Sequence, residues 1–250
     1  RIFFLLIILL LSSCSVVVST PSSRFISPEA KGKLGAHDIS LGVSGSTEVV
    51  LVTSGVTPGQ QIKNPLKLDR SYTGLAGGNM GILEKLDLYI TAPLESTPML
   101  GFKYQILGDA ENKAKKGNHS LAITGAFGQV TKTVQELELF NIQTDEIKNT
   151  NRQRDTSLIY GYRMREHNLF YTGISYSEVN LDGYVVQGPN VGSNYDYDTE
   201  ILGAHLGFMN HGDSYFVKVE ASVQQTQWTN TGKQAFGFIG AQFGLRWGNE

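Results

Sequence analysis

Histidine is the side chain of this protein that could support acid–base chemistry near neutral pH. The five histidines lie far apart in the sequence and match no zinc-protease or catalytic-triad spacing. The one in the middle of a predicted strand, His205, falls on a polar face, where a single histidine is typical of a hydrogen-bonded filler. We therefore predict that the protein is not an enzyme. The five are His37, His119, His167, His205 and His211.

A short acidic run could provide metal chemistry instead. In NYDYDTE, Asp196, Asp198 and Glu200 stand at alternate positions, so an extended chain places their carboxylates on one side. Carboxylate oxygens are ligands that Ca²⁺ prefers, but the run lacks the pattern of a calcium-binding loop, and we interpret it as a solvated edge. The stretch GLAGGNMG forms no dinucleotide fingerprint, and no phosphate-binding loop is present. We predict no metal and no cofactor.

The single cysteine, Cys14, stands close behind an apolar run, Ile2–Leu11. A lone cysteine excludes a disulfide framework and a cysteine-rich metal site. The run has about half of the ~20 residues that a transmembrane helix needs, and it matches the apolar core of a signal peptide. The sequence therefore predicts an exported protein.

The stretch Leu11-Ser12-Ser13-Cys14 resembles the lipobox of bacterial lipoproteins. The resemblance implies that residues 1–13 are a signal peptide, that Cys14 is lipidated as the first mature residue, and that lipoprotein-sorting machinery handles the chain. Ser15, in place of an aspartate, implies sorting to the outer membrane of a Gram-negative bacterium. Residues 14–35 mix Ser, Pro and Lys and are interpreted as a lipidated N-terminal tether.

From residue 36 onward, apolar and polar residues alternate with a period of two, which indicates β-strands with one apolar and one polar face. In VKVEASV, residues 217–223, the valines share one face with Ala221, and Lys218 and Glu220 share the other. Glycine is abundant, with 28 residues, which is typical of a sheet protein with many turns. The predicted fold class is all-β, with one barrel domain over residues 36–250.

Most predicted strands reach the ~9–11 residues that cross a bilayer at a tilt. Tight turns alternate with long loops at 47–68, 131–153 and 179–197, which is the layout of outer-membrane barrels. We predict an antiparallel up-and-down transmembrane β-barrel of about ten strands, with eight or twelve as alternatives, since the segment 46–56 either extends the first strand or forms another. The strands are predicted at about 36–46, 69–80, 84–93, 98–108, 117–129, 155–165, 168–178, 198–210, 213–225 and 234–247.

The two strand faces favour a membrane barrel over a soluble one. Small residues are frequent on the polar face, whereas bulky apolar residues and rings near strand ends occupy the other, as interfacial aromatics do. A soluble periplasmic barrel that binds a lipophilic ligand remains the alternative. The predicted outward residues are Val217, Val219, Phe243 and Leu245, the predicted inward residues are Lys218, Glu220, Gln242 and Arg246, and the predicted rim aromatics are Tyr162, Phe170, Phe208, Tyr215 and Trp247.

Residues 31 to about 130 resemble generic bacterial outer-membrane β-barrel proteins, in which a Gly-rich strand and a short turn precede strands such as KLDLYI and GFKYQI. The stretches that carry the likeness are KGKLGAHDISLGVSG and GLAGGNMGILEKLDLYITAPLESTPMLGFKYQILGD. The last strand is similar to the aromatic-ended strand that barrel-assembly machinery recognises, although Trp247 takes the place of the usual Phe and Gly248-Asn249-Glu250 follow it. The resemblance implies the fold, the outer membrane and that machinery as a partner.

Strand parity places seven ionisable side chains inside the barrel. Buried charges need partners, so mixed signs in a narrow lumen predict ion pairs. Ten strands leave only a narrow or plugged passage, because wide channels need about sixteen. Glu220 and Arg246 would pair if the last hairpin set them opposite each other. The predicted lumen charge network is Asp87, Lys103, Arg163, His205, Lys218, Glu220 and Arg246.

These features predict a lipid-anchored outer-membrane barrel with a structural or binding role through its long loops. A narrow pore or transporter for small solutes is the alternative within the same fold. Outer-membrane lipid is an expected partner. Nucleic acid is not, because the formal net charge is −2 and no basic excess is present.

Overall fold

Regular structure in the described residues consists of antiparallel β-strands. The prediction of an all-β chain is therefore confirmed. None of these residues forms a helix that is long and apolar enough to cross a membrane. The structure is a computed structural model, and it describes residues 16–51, 58–61, 66–94, 96–136, 145–188, 190–228 and 232–248.

Alternating side chains with β-branched and aromatic residues on one face favour the extended chain, and the tight turns between them favour antiparallel pairing. The described strands are β1 (Val16–Pro21), β2 (His37–Leu51), β3 (Leu66–Leu83), β4 (Leu86–Pro93), β5 (Met99–Leu107), β6 (His119–Glu136), β7 (Asp145–Arg165), β8 (Asn168–Gln187), β9 (Asn194–His211), β10 (Tyr215–Trp228) and β11 (Gln234–Trp247).

Strands β2 to β11 form a closed barrel of ten strands. Each pairs with the next along the chain, and β11 closes onto β2 from Ala241↔Val43 to Trp247↔His37. The ten-strand prediction is confirmed, and the ambiguous segment after residue 46 extends β2 as far as Leu51. The additional strand, β1, pairs with the second half of β2, from Val16↔Leu51 to Pro21↔Ser46.

The barrel has two different rims. The short-turn rim carries the tight turns β3–β4, β7–β8 and β9–β10, together with the first residue of β2, His37, and the last of β11, Trp247. The long-hairpin rim carries the connections after β2, β6, β8 and β10. Leu51 ends β2 at the long-hairpin rim, and Val16, the first residue of β1, pairs with it. The first residue of β1 therefore lies at the same rim.

The predicted long loops are wrong in extent. Pairing continues through most of 131–153 to Glu136↔Asp145, and through most of 179–197 to Tyr184↔Asn194. The strands keep their alternation here, but most of their outward residues become polar. Such polar residues predict a loop when only the sequence is considered. In the structure they form the outer face of hairpins that extend beyond the apolar part of the barrel.

The side-chain polarity of the two faces reverses along these strands. On β8, Ile174 points outward and is exposed, and Ser177 points inward; further along, Asp182 is on the outer face and Leu181 is buried inside. The inward residues of this part form a buried apolar cluster, which we call the hairpin cluster. Its members are Val49, Ile147, Val179, Leu181, Val185, Tyr195, Tyr197, Ile201 and Trp228.

Between that cluster and the short-turn rim, the outer face is apolar. Val219 is 47% exposed, whereas its neighbour Glu220 is fully buried. All four residues predicted to point outward are exposed and all four predicted inward are buried, so the orientation prediction is confirmed. The rim aromatics are also exposed on this outer face, with Phe170 opposite both Tyr162 and Phe208, and Trp247 stacked on His37 at 5.3 Å.

The N-terminal segment does not behave as the free tether that its composition predicts. After β1, residues 22–31 enter the lumen and run inside it to the short-turn rim, where β2 begins; we call them the threaded segment. Most of its side chains are buried, among them Phe25, Glu29 and Lys31. Ile26 packs against an apolar patch of the inner wall formed by Ile159, Leu169, Tyr171, Met209 and Phe216.

Candidate functional site: a barrel lumen occupied by the N-terminal segment

Two charged side chains of β10 bind the backbone in the middle of the threaded segment. Lys218 and Glu220 stand two residues apart, so both point inward. The Glu220 carboxylate accepts the backbone N–H groups of Arg24 at 2.8 Å and Phe25 at 3.0 Å, and Lys218 Nζ donates to the Phe25 carbonyl at 2.6 Å. Phe25 has φ of 50°, a left-handed conformation that makes successive N–H groups converge on an anion.

The Arg24 side chain binds the opposite wall. Its guanidinium lies 2.7 Å from the Asp155 carboxylate on β7 and donates to Ser177 Oγ on β8 at 2.8 Å. It also donates to the carbonyl of Pro21, the last residue of β1. A charge-assisted pair in a buried site is stronger when hydrogen bonds also satisfy the remaining donors, and Ser177 and Pro21 provide two such bonds here.

Glu29 forms the second charged contact of the segment. Its carboxylate pairs with Arg163 of β7 through two nitrogens, with Nε at 3.1 Å from Oε1, and it accepts Asn118 Nδ2 at 2.9 Å. Arg163 also donates to the Glu166 carbonyl and contacts His211 Nε2. The two charged side chains are buried, so each depends on the other for charge compensation.

Asp87 and Lys103 form an ion pair beside this contact. They stand opposite each other on β4 and β5, and their charged atoms are 2.9 Å apart. Both also bind the backbone of the threaded segment: Lys103 Nζ donates to the Glu29 carbonyl at 2.6 Å, and Asp87 accepts the Lys31 N–H at 3.1 Å. Asn79 completes the carboxylate's partners.

The β5–β6 connection contacts the last residue of the threaded segment. The Lys31 ammonium lies 2.6 Å from Asp38 and 3.2 Å from Glu111. Glu111 belongs to the unusually long turn at this rim, and its carboxylate also pairs with Arg246 of β11. The length of that turn is therefore explained, since it brings a carboxylate into the lumen.

Glycines make room for the segment. A Cβ on Gly240 would stand 2.6 Å from Ser23 Oγ and 2.7 Å from the Phe25 ring, and one on Gly161 would stand 2.5 Å from Pro28 Cγ. These distances are shorter than real Cβ contacts, so larger residues there would displace the segment.

The predicted pair between Glu220 and Arg246 is wrong. The β10–β11 register sets Glu220 opposite Gly240, whereas Arg246 lies near the short-turn rim, opposite Asp38 of β2. Glu220 binds the threaded segment and the Tyr171 hydroxyl, and Arg246 binds Glu111. The error comes from the register, because parity fixes the face of a residue but not its height in the barrel.

The structure places all seven residues of the predicted lumen network on the inner wall, where each is buried. Six of them bind the threaded segment or Glu111. His205 is the exception, since it packs between Tyr171 and Gly173 on the same wall. Cys14 lies outside the described residues.

The other candidate residues from the sequence are not brought together. Asp196, Asp198 and Glu200 share the outer face of β9 and are exposed there. His119 contacts the Tyr160 hydroxyl on the outer wall, and His167 meets His211 edge-on at the short-turn rim. No group of three or more metal-ligand side chains with suitable spacing occurs within the described residues.

Sequence reasoning missed several residues of the site. The predicted tether includes Arg24, Glu29 and Lys31, although the apolar Phe25 among them is unusual for a solvated linker. Asp155 lies an even number of residues from Arg163 on β7, so strand alternation predicts that it also points inward. Glu111 lies in a turn, where no periodicity identifies an inward direction.

Two small cavities lie beside the threaded segment within the described part of the chain. Cavities of about 40 Å³ and about 30 Å³ lie next to Arg24, and both are partly lined by Tyr89. Each has room for ~1–3 water molecules. The segment thus fills the part of the lumen that would otherwise hold a water column.

We expect the intact protein to conduct no more than a trace of ions in a planar bilayer, because the charged groups of the lumen already bind the segment. The measurement compares single-channel traces of the purified full chain with those of a protein-free bilayer. Large and stable conductance steps would contradict a sealed lumen and favour the small-solute pore.

No protein-family model matches the chain, and a search of curated proteins finds no match either.

Proposed function

We propose that the protein is a lipid-anchored outer-membrane β-barrel, sealed by its own N-terminal segment, with a structural or binding role through its long hairpins. The observation that carries this proposal is the reversal of polarity along β7 to β9. The outer face is apolar from the short-turn rim to about Ile174, a part that we call the apolar band, and it is polar from Glu178 to Asp182, as expected where a strand leaves hydrocarbon for water. A charged, filled lumen also argues against a carrier of lipophilic ligands.

The extended hairpins are the surface through which we expect binding. They rise beyond the apolar band, and the hairpin cluster gives them a core like that of a soluble protein. Their outer face carries ion pairs between neighbouring strands, such as Arg152 with Asp182 at 2.7 Å. Such a charged surface suits recognition of another polar surface better than insertion into lipid.

The path of the N-terminal segment gives the proposed lipid a definite position. Val16 lies at the long-hairpin rim, and two residues of chain span at most ~7 Å. A lipid on Cys14 would therefore reach the membrane from the side of the long hairpins, opposite the short turns.

The lipid anchor and the barrel should retain the protein independently. We expect the wild-type protein to incorporate labelled fatty acid and Cys14→Ala to incorporate none. Both should stay in the membrane pellet after alkaline carbonate extraction, because ten strands with an apolar outer face remain inserted without the lipid. The matched control is Ser15→Ala, which should behave as the wild type.

Each outcome of this experiment tests a different part of the proposal. A free thiol at residue 14 of the wild-type protein would exclude the lipid anchor alone. Release of Cys14→Ala into the soluble fraction would exclude membrane insertion and favour the tethered periplasmic barrel.

The position of the N-terminus can be tested with epitope tags. A tag placed between Ser15 and Val16 should have the same accessibility in whole cells as one at Gly192, in the β8–β9 connection. A tag at Asp213, in the β9–β10 turn, should have the opposite accessibility. The measurement is antibody labelling before and after permeabilisation, and an N-terminal tag that labels together with the Asp213 tag would contradict the threaded path.

A further inference from the structure

The inner wall of the barrel binds mainly backbone atoms of the threaded segment. Glu220, Lys218, Lys103 and Asp87 all contact its N–H or C=O groups, as described above. Gln105 Oε1 also accepts the Ala30 N–H at 2.7 Å, and Gln224 Nε2 donates to the Pro21 carbonyl, just before the segment, at 3.1 Å. Such contacts recognise an extended chain whatever its side chains, as in other modes of peptide recognition.

Only a few side chains of the segment are recognised individually. Arg24 binds Asp155, Glu29 binds Arg163 five residues later, and Lys31 binds Asp38 two residues after that. The Phe25 ring lies against Gly240 and the Pro28 ring against Gly161. The wall therefore combines backbone recognition with three charge-specific positions and two shape-specific ones, which is the composition of a peptide-binding site.

We propose that the lumen is a peptide-binding channel and that the threaded segment is its built-in, separable ligand. The ligand class is a peptide with a cation at one position, an aromatic ring next to it, a carboxylate five residues after the cation, and a second cation two residues after the carboxylate. In the intact chain the covalent link holds this ligand at a high effective concentration, so that no external peptide can compete.

The link between ligand and barrel lies in the solvent. Residues 33–35 are exposed at the short-turn rim, and Leu34 has 75% of its surface accessible. Within the described residues, the segment is joined to the wall by hydrogen bonds, ion pairs and packing. Cutting the chain at this point would turn an intramolecular ligand into an ordinary bound peptide.

The test uses the full chain with a protease recognition sequence inserted between Leu34 and Gly35, cut after folding. The matched control carries the same insertion after Val191, where a cut leaves the segment attached. The cut protein is washed in detergent with and without an excess of a fluorescent synthetic peptide of residues 16–34. Mass spectrometry measures the retained fragment, and fluorescence anisotropy measures the bound peptide.

We expect the fragment to survive washing in buffer alone and to be replaced by the labelled peptide. A peptide with Glu29→Gln should bind at least tenfold more weakly, because it leaves the Arg163 charge buried without a partner. Changing the peptide rather than the barrel excludes misfolding as a cause. The Val191-cut control should bind no peptide, since its channel stays occupied.

Two results would overturn the proposal: loss of the fragment in buffer without uptake of the labelled peptide, or equal binding of the two peptides. The proposal rests on the barrel fold and the lumen contacts, and it does not require a lipid anchor or a membrane location. Carbonate extraction and peptide exchange can therefore fail independently.

Discussion

Glu29→Gln is expected to destabilise the barrel by ~3–5 kcal/mol, because it removes the carboxylate that compensates the buried Arg163 and leaves that cation unpaired. The glutamine keeps the size of the side chain and one acceptor oxygen, so packing changes little. The measurement is the free energy of unfolding in guanidinium, followed by the fluorescence of Trp228, which is buried in the hairpin cluster.

The matched control is Glu84→Gln in the β3–β4 turn. Glu84 also pairs with a cation, Lys113, at 2.6 Å, and this hydrogen bond lowers the pKa of the Glu84 carboxyl below its usual value. Both side chains of the control pair are exposed, so water replaces the lost contact and stability should not change measurably. If both variants unfold like the wild type, Glu29 does not hold the segment in the lumen.

Val219→Arg is expected to destabilise the membrane-inserted protein by ~2–4 kcal/mol, because it places a charge near the middle of the apolar band. Val219 points outward on β10, between the rim aromatic Tyr215 and the polar Gln225. The measurement is the free energy of unfolding from lipid vesicles, with the yield of inserted protein as a second readout.

Gln227→Arg is the matched control for this prediction. It has the same strand and the same outward face, but it lies beyond the apolar band, opposite Glu200 of β9. An arginine there stays in water next to a carboxylate, and we expect no measurable loss of stability. Equal effects of the two substitutions, or no effect of either, would show that the outer face of β10 does not lie in hydrocarbon.

The faces of the strands were predictable because the period of a strand is fixed by its backbone. In 217–223 every second side chain is apolar, and the alternation alone separates Val219 from Glu220. The same reasoning gave the closed all-β fold and the strand number, because tight turns between alternating segments leave few other ways to pair them.

The lengths of the strands were harder to predict. Polar outward residues such as Arg152 and Asp182 have the composition of a loop, and only their partners across the hairpin show that they belong to strands. The buried side of those hairpins is apolar, opposite to the rest of the barrel. A single assignment of polar-inside and apolar-outside along a whole strand therefore fails at the boundary of the apolar band.

The sequence by itself determined the alternation, and with it the fold class, the inward position of the seven residues of the predicted lumen network and the apolar outer face. The tertiary structure alone decided the partner of each charge. Glu220 binds the backbone of Arg24, almost two hundred residues away in the chain, and Arg163 binds Glu29. Local periodicity contains no information on contacts between residues so far apart in the sequence. Strand register and the path of the N-terminal segment are set only when the barrel closes around that segment.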